Sequence, residues 1–245
     1  TEFLPVSSSA HLVLYNKFVI GLQNDLSLDI AMHIGSLLAV ILLVSKPLKE
    51  HMNKVLIKNG MRKSVFFLTI ATFPLVFMAL LLEHARLLDL SRQVEIIAFS
   101  NLIFAFLLFV SDKKTSQRKF SDITGRDVLM IGIWQSFAAF PGTSRSGASI
   151  TGARFLNFGR KEAIIISAIL SIPAIVISSG YIGFKFFRSP NEIEIEFIIY
   201  ATISSFIFSY LALKFFVKFG ELFSFTPYVI YRLFLGLTLL TLVYL

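Results

Sequence analysis

Apolar runs of about 16 to 22 residues alternate with short polar stretches along the chain, and six of them are long enough to cross a bilayer as helices. They fall at Ile30–Ser45, Ser64–Leu82, Val94–Val110, Ala163–Phe184, Phe197–Leu213 and Pro227–Leu245. Pro74 and Pro173 predict kinks in the second and fourth runs. Two further apolar stretches break the pattern. Thr1–Gly21 is interrupted by Pro5, the run Ser7-Ser8-Ser9 and His11, and Val128–Ile150 runs into the polar segment Phe140–Thr151. Both are predicted to be re-entrant hairpins, because irregular backbone at membrane depth is tolerated only where it is buried in protein or lines a cavity.

The distribution of charge orients this plan. Loops 46–63, 112–127, 153–161 and 214–221 hold 16 Lys and Arg residues, and the loops between them hold five. With the basic loops cytoplasmic, the alternation closes only if the first hairpin enters and leaves from outside and the second from the cytoplasm. Composition agrees with a polytopic membrane protein: 56% hydrophobic, 16% charged, 27 Phe and a mean hydropathy of +0.77. The net charge of +8 sits in short loops rather than on a soluble face, so nucleic acid is not an expected partner. The absence of Cys excludes disulfides, thiolate metal sites and cysteine nucleophiles. Trp134 is expected at an interface, and because the chain opens at Thr1, already inside a motif, residues are expected upstream.

A weak internal repeat supports the paired hairpins. Phe3-Leu4-Pro5-Val6-Ser7-Ser8-Ser9-Ala10 aligns with Ala139-Phe140-Pro141-Gly142-Thr143-Ser144-Arg145-Ser146 at an offset of 136. Repeats of this kind place a site where two broken helices meet near the midplane. The predicted fold is therefore an all-α integral membrane protein, a polytopic helical bundle with inverted-topology repeats and two opposed re-entrant hairpins. Residues 1–245 form one domain, with repeat one over about 1–111, a cytoplasmic linker at 112–127 and repeat two over about 128–245.

The second polar segment concentrates Arg145 with the hydroxyls of Ser144, Ser146, Ser149 and Thr151 and the glycines Gly142 and Gly147. Burying such groups unpaired is costly, and a ligand that supplies their partners offsets the cost. Glycine lets the backbone approach that ligand, and Arg grips an oxyanion with two prongs, so phosphate fits best. The first hairpin would face it with Glu2, Ser7, Ser8, Ser9 and His11. Glu2 suits a hard divalent cation, Mg²⁺ or Ca²⁺, bridging to diphosphate oxygens, and equally a general base. A helix starting near Ser8 puts Ser8 and His11 on one face. Two routes of phosphoryl transfer stay open: Ser8 as nucleophile with His11 as base, or a water oriented by Glu2 or His11.

Simpler roles stand beside these. A Pro-x-Ser-Ser run is commonly a helix cap, and His33 reads as a packed histidine. Arg145 suffices as the structural counter-charge of Glu2. Arg232 reads as neutralising an acidic neighbour or snorkelling to the interface, and Glu192, Glu194 and Glu196 read as solvated. Ionisable residues in both hairpins weigh toward function.

Glu2-Phe3-Leu4-Pro5-Val6-Ser7-Ser8-Ser9-Ala10-His11 and Pro141-Gly142-Thr143-Ser144-Arg145-Ser146-Gly147-Ala148 closely resemble the bacterial undecaprenyl-diphosphate phosphatase family, linked to bacitracin resistance. Phe225-Thr226-Pro227-Tyr228-Val229-Ile230-Tyr231-Arg232 and the segment around Gly35-Ser36-Leu37-Leu38-Ala39-Val40 fit the same family, so the similarity runs along the whole chain. Ala10 departs from a usual glycine, and Ser149 from a common threonine. The resemblance implies an integral enzyme of the bacterial inner membrane that hydrolyses undecaprenyl diphosphate to the monophosphate, recycling the cell-wall lipid carrier. The loop charges, with the first hairpin entering from outside, predict a site open to the outer side. It implies two glutamates four apart, associated with a divalent metal; Glu2 matches the second, and the first would lie upstream of Thr1. Ser8 and His11 match nucleophile and base, and Ser144, Arg145 and Ser146 match the diphosphate loop, with Ser7, Ser9, Gly142 and Ser149 as further expected contacts. Expected partners are the polyprenyl diphosphate and membrane lipids, with a homodimer among the assemblies left open. A polyprenyl-phosphate or anion transporter is the alternative. A carrier needs only Arg145 and donors, whereas hydrolysis needs a base and an activated nucleophile as well.

Overall fold

The computed structural model describes residues 1–8, 10–11, 26–56, 60–87, 93–115, 118–188 and 195–244. Among them are eight α-helices: α1 Leu26–Leu56, α2 Gly60–His84, α3 Val94–Asp112, α4 Gly125–Ser136, α5 Arg145–Phe155, α6 Arg160–Arg188, α7 Ile195–Phe219 and α8 Thr226–Tyr244. Short 3₁₀ turns at Phe120–Asp122 and Phe137–Ala139 flank α4. Ser8, Ala10 and His11 are helical, while the rest of the expected first hairpin, 12–21 and Ser9, lies outside the described residues.

Six helices are long and apolar enough to cross a membrane, over Leu28–Ser45, Phe66–His84, Val94–Asp112, Arg160–Phe184, Ile195–Phe219 and Thr226–Tyr244. Each coincides with one of the six apolar runs, so this is a multi-pass helical membrane protein. Several boundaries differ from the hydropathy reading, and α7 continues through Lys214 and Lys218 to Phe219. α1 continues through basic sequence to Leu56, and α6 to Arg188, because helix needs only backbone bonding and does not stop where apolarity stops. Pro74 and Pro173 lie inside helices that run on past them.

Lipid is as apolar as Leu, so close packing and polar contacts hold the helices together rather than a hydrophobic drive. α1 meets α7 at Gly35, where a Cβ would strike the Thr202 carbonyl, and Ser205 Oγ donates to the Met32 carbonyl at 2.6 Å. α4 meets α2 where Gly132 lies on the Ala71 backbone. Large side chains such as Phe66, Phe73, Phe77, Phe208 and Phe234 face outward, as a lipid-facing surface requires. The buried core gathers on α6, with Ile164, Ile166 and Ile175 against Leu108, Ile131 and Ile150.

α4 and α5 are the exception to spanning length. At 12 and 11 residues they reach about 18 and 16 Å, well short of a hydrocarbon layer of about 30 Å. They pack on each other as a hairpin whose two ends meet: Arg118 N–H donates to the Asn157 carbonyl at 3.2 Å, and Gly159 N–H returns a bond to the Arg118 carbonyl at 3.1 Å. The Arg118 guanidinium grips Asp127 at 2.7 and 3.1 Å and lies 4.3 Å from the Phe158 ring centroid. Thr124 and Asp127 cap α4 reciprocally. Arg154, at the end of α5, is buried and donates to the carbonyls of Phe158, Asp112 and Lys114. Asp112 in turn accepts from Arg160 at 2.6 and 3.1 Å and from Phe225 N–H at 2.9 Å. The base of the hairpin is thus bolted to α3, α6 and the start of α8, which fixes where its tip can lie. The Trp134 ring is half-buried and packs among Phe104, Phe137 and Phe155 and against Gly152.

Candidate active site

The tip of the hairpin is the segment Phe140–Ser144. Gly142 takes φ +94°, a conformation that L side chains rarely adopt, and a Cβ there would collide with the Ile97 carbonyl and Ser100 Oγ. Ser100 Oγ donates to the Pro141 carbonyl at 2.5 Å, pinning the tip to α3. Ser144 has φ 69° and accepts Gly147 N–H on its hydroxyl at 3.2 Å, so it caps α5 from a left-handed conformation. Ser7 in the first loop is left-handed as well, with φ 62° directly before helical Ser8. The two left-handed serines stand one position out of the sequence offset of 136, because Pro141-Gly142-Thr143-Ser144 has one residue more than Pro5-Val6-Ser7.

The two loops touch. Arg145 Nη2 donates to Glu2 Oε1 at 3.0 Å, and Ser146 Oγ donates to the Leu4 carbonyl at 2.8 Å. Arg145 Nη1 is buried without a hydrogen-bond partner among the described residues. Glu2, Ser8 and Arg145 line one cleft of about 340 Å³ whose walls are Leu75, Val76, Ala174, Ile175 and Ile177. His33, Thr72 and Tyr181 add polar groups to it, and Tyr181 hydroxyl donates to Glu83 at 2.9 Å near its far end. His33 is therefore a cleft residue and not only a packing one.

The other expected residues are placed differently. Ser7, Ser146 and Ser149 are buried, at 1%, 2% and 0% exposure, and do not line the cleft. Ser149 Oγ bonds to the Arg145 carbonyl at 2.9 Å and to Gln135 Oε1 at 3.2 Å, bracing α5 against α4. Gly142 and Ser144 shape the tip, and Ser9 lies outside the described residues. His11 and Ser8 are not bonded to each other: His11 Nδ1 meets the Ser7 carbonyl at 2.7 Å and Nε2 meets the Tyr231 hydroxyl at 2.5 Å.

Arg232 neither snorkels nor neutralises an acid. It is 0% exposed, with Nε on Asn101 Oδ1 at 2.9 Å and Nη2 on the carbonyls of Asn101, Gly142 and Thr143 at 3.1, 3.0 and 2.9 Å. Those bonds hold the tip carbonyls against α8, just ahead of the α5 N-terminus, the end of a helix that favours an anion. Reading the sequence left out Arg232 as a loop clamp, together with Asn101, Gln135 and Tyr231. The signal for Asn101 and Arg232 was their presence inside apolar runs; Tyr231 stood only within the family-like segment Phe225–Arg232.

These features define a class: a polytopic helical membrane protein with an ion pair and an anion-suited helix N-terminus at the head of an apolar cleft. Residues 1–238 match the family model described as bacitracin resistance protein BacA, and the chain belongs to that family. The undecaprenyl-diphosphatase of Jannaschia sp. (strain CCS1) is 36% identical over 252 residues, covering 100% of this chain and 94% of that protein. The undecaprenyl-diphosphatase of Aliivibrio salmonicida (strain LFI1238) is 35% identical over 254 residues, covering 98% and 92%. That of Ruegeria pomeroyi is 36% identical over 253 residues, covering 100% and 94%.

Proposed function

We propose that the protein hydrolyses undecaprenyl diphosphate to undecaprenyl phosphate and inorganic phosphate, and so returns a lipid carrier to cell-wall synthesis. The observation that carries this is the Glu2–Arg145 pair at the head of an apolar cleft, with one guanidinium nitrogen left unpaired and buried. A diphosphate oxygen satisfies that nitrogen, and the isoprenoid tail lies along Leu75, Val76 and Ile175. The nucleophile attacks the terminal phosphorus, the bridging P–O bond breaks to release undecaprenyl phosphate, and the nucleophile's proton passes to a base. Where the nucleophile is a serine hydroxyl, water then cleaves the phosphoserine to release phosphate. Glu2 and Ser8 face the bound headgroup as contacts; Ser144, Ser146, Ser149 and Gly142 act by shaping the loop. Either Ser8 or water serves as the nucleophile in this scheme, with Glu2 or His11 as base.

A divalent cation, Mg²⁺ or Ca²⁺, belongs to the proposal. Glu2 offers one carboxylate in the same cleft as the Ser8 hydroxyl, hard oxygen donors of the kind such an ion takes, and among the described residues no group of three or more His, Cys, Asp or Glu surrounds them. When bound, the ion neutralises charge on the diphosphate. We place the protein in the bacterial inner membrane with the cleft open to the outer side, on the strength of the loop charges. The left-handed serines at Ser7 and Ser144 support two inverted repeats with opposed re-entrant hairpins, and a homodimer is compatible with the broad outward apolar face of α7.

Reconstitution in vesicles separates hydrolysis from transport. Phosphate released from polyprenyl diphosphate with Mg²⁺, lost with EDTA, and no transfer of the intact lipid between leaflets is the expected result. Transfer of intact lipid without phosphate release would contradict it.

A further inference from the structure

Both nitrogens of His11 are held, and the two partners are chemically unlike. The Ser7 carbonyl only accepts, so Nδ1, 2.7 Å away, carries the hydrogen. In the neutral ring Nε2 then holds the lone pair, and the Tyr231 hydroxyl, 2.5 Å away, donates to it. The two rings lie nearly parallel, 16° apart with centroids at 5.5 Å. Ser7 is 1% exposed and left-handed, and Tyr231, with 42% of its surface exposed, is placed by its neighbour Arg232, which is anchored by its bonds to Asn101, Gly142 and Thr143. Adjacent residues of α8 therefore tie down both halves of the site, Tyr231 the first loop and Arg232 the second.

The geometry points to Tyr231 as the positioning residue for His11, its hydroxyl holding Nε2 as the Ser7 carbonyl holds Nδ1 so that the tautomer and place of the ring are fixed, and to the Tyr231-Arg232 pair as the yoke that sets the spacing of the two loops. This rests on the hydrolase reading above. Neither Tyr231 nor His11 lines the cleft, so Tyr231 acts on the reaction only through the placing of His11 and the first loop. The yoke also accounts for a costly choice, a guanidinium buried in a spanning helix with only neutral partners. Backbone carbonyls fix a loop's path as no exchangeable side chain does, and a displacement of about 1 Å of a reacting group costs on the order of a hundredfold in rate.

Tyr231→Phe keeps the stacked ring and removes only the hydroxyl. In the full-length protein in detergent, it is expected to lower kcat for polyprenyl diphosphate about tenfold with KM changed by less than about twofold, because binding does not run through His11. In a His11→Gln background the same substitution is expected to change the residual rate by less than about twofold, since the two act as a unit. A kcat for Tyr231→Phe within about twofold of the parent, or an equal loss in both backgrounds, overturns the assignment while leaving the hydrolase intact. No phosphate release from the folded parent overturns the hydrolase itself. Histidine ring ¹⁵N spectra of the unsubstituted protein give a test that needs no variant: His11 protonated at Nδ1 and bare at Nε2 is expected, and a hydrogen on Nε2 alone overturns the assignment.

Discussion

Gly147 is the most exacting residue of the second loop. A Cβ added there would sit 2.7 Å from Arg232 Nη1, and the other nitrogens of that guanidinium are committed, so it cannot swing aside without giving up bonds to the tip carbonyls. Gly147→Ala is therefore expected to destabilise the protein by about 1–3 kcal/mol and to lower phosphate release through a displaced loop. Thermal melting in detergent beside the release assay checks this; an unchanged melt with full activity would mean that Arg232 yields freely. At this scale the sequence was legible where two ionisable groups had to share an apolar site, which is how Glu2 and Arg145 are matched across 143 positions. The target of Arg232 was not legible, because backbone carbonyls carry no signature in a sequence. Nor was the Tyr231 partner of His11, since a tyrosine at the edge of an apolar run is ordinary.

Among the elements, the α4–α5 hairpin depends on its base. Burial opposes the charge on Asp127, but the bonds from Arg118 and Thr124 outweigh it and hold the carboxyl below its ordinary value of 3.8. A depressed folded value means that the group stabilises fully above its unfolded value and ceases to do so as pH falls through the folded one. Hydrogen exchange at Arg118, Gly159 and the first turn of α4 is thus expected to stay slow at neutral pH and to quicken below about pH 4. Asp127→Asn is expected to bring the fast exchange to neutral pH. Exchange that is insensitive to both would assign the base's stability to Arg154 and Asp112 instead. The six spans were legible because length and apolarity suffice to define them. The extents of α1 and α6 were not, since a helix that leaves the membrane shows no change of period at the point of exit.

For the molecule as a whole, six spans build a wall that hides polar residues from lipid, and a short hairpin bolted at one end carries Arg145 to meet Glu2 at the other. The clamp of Arg232 shapes the tip, and an apolar cleft opens beside the ion pair. The central claim is that both loops form one hydrolytic site. It is tested most directly by phosphate release from polyprenyl diphosphate in detergent by the full-length protein with Mg²⁺, beside Glu2→Gln and Arg145→Ala. We expect release by the parent and a loss of at least a hundredfold in each variant, as for groups that contact the reacting headgroup. A folded parent that binds the lipid and releases no phosphate, or variants as active as the parent, would contradict the account.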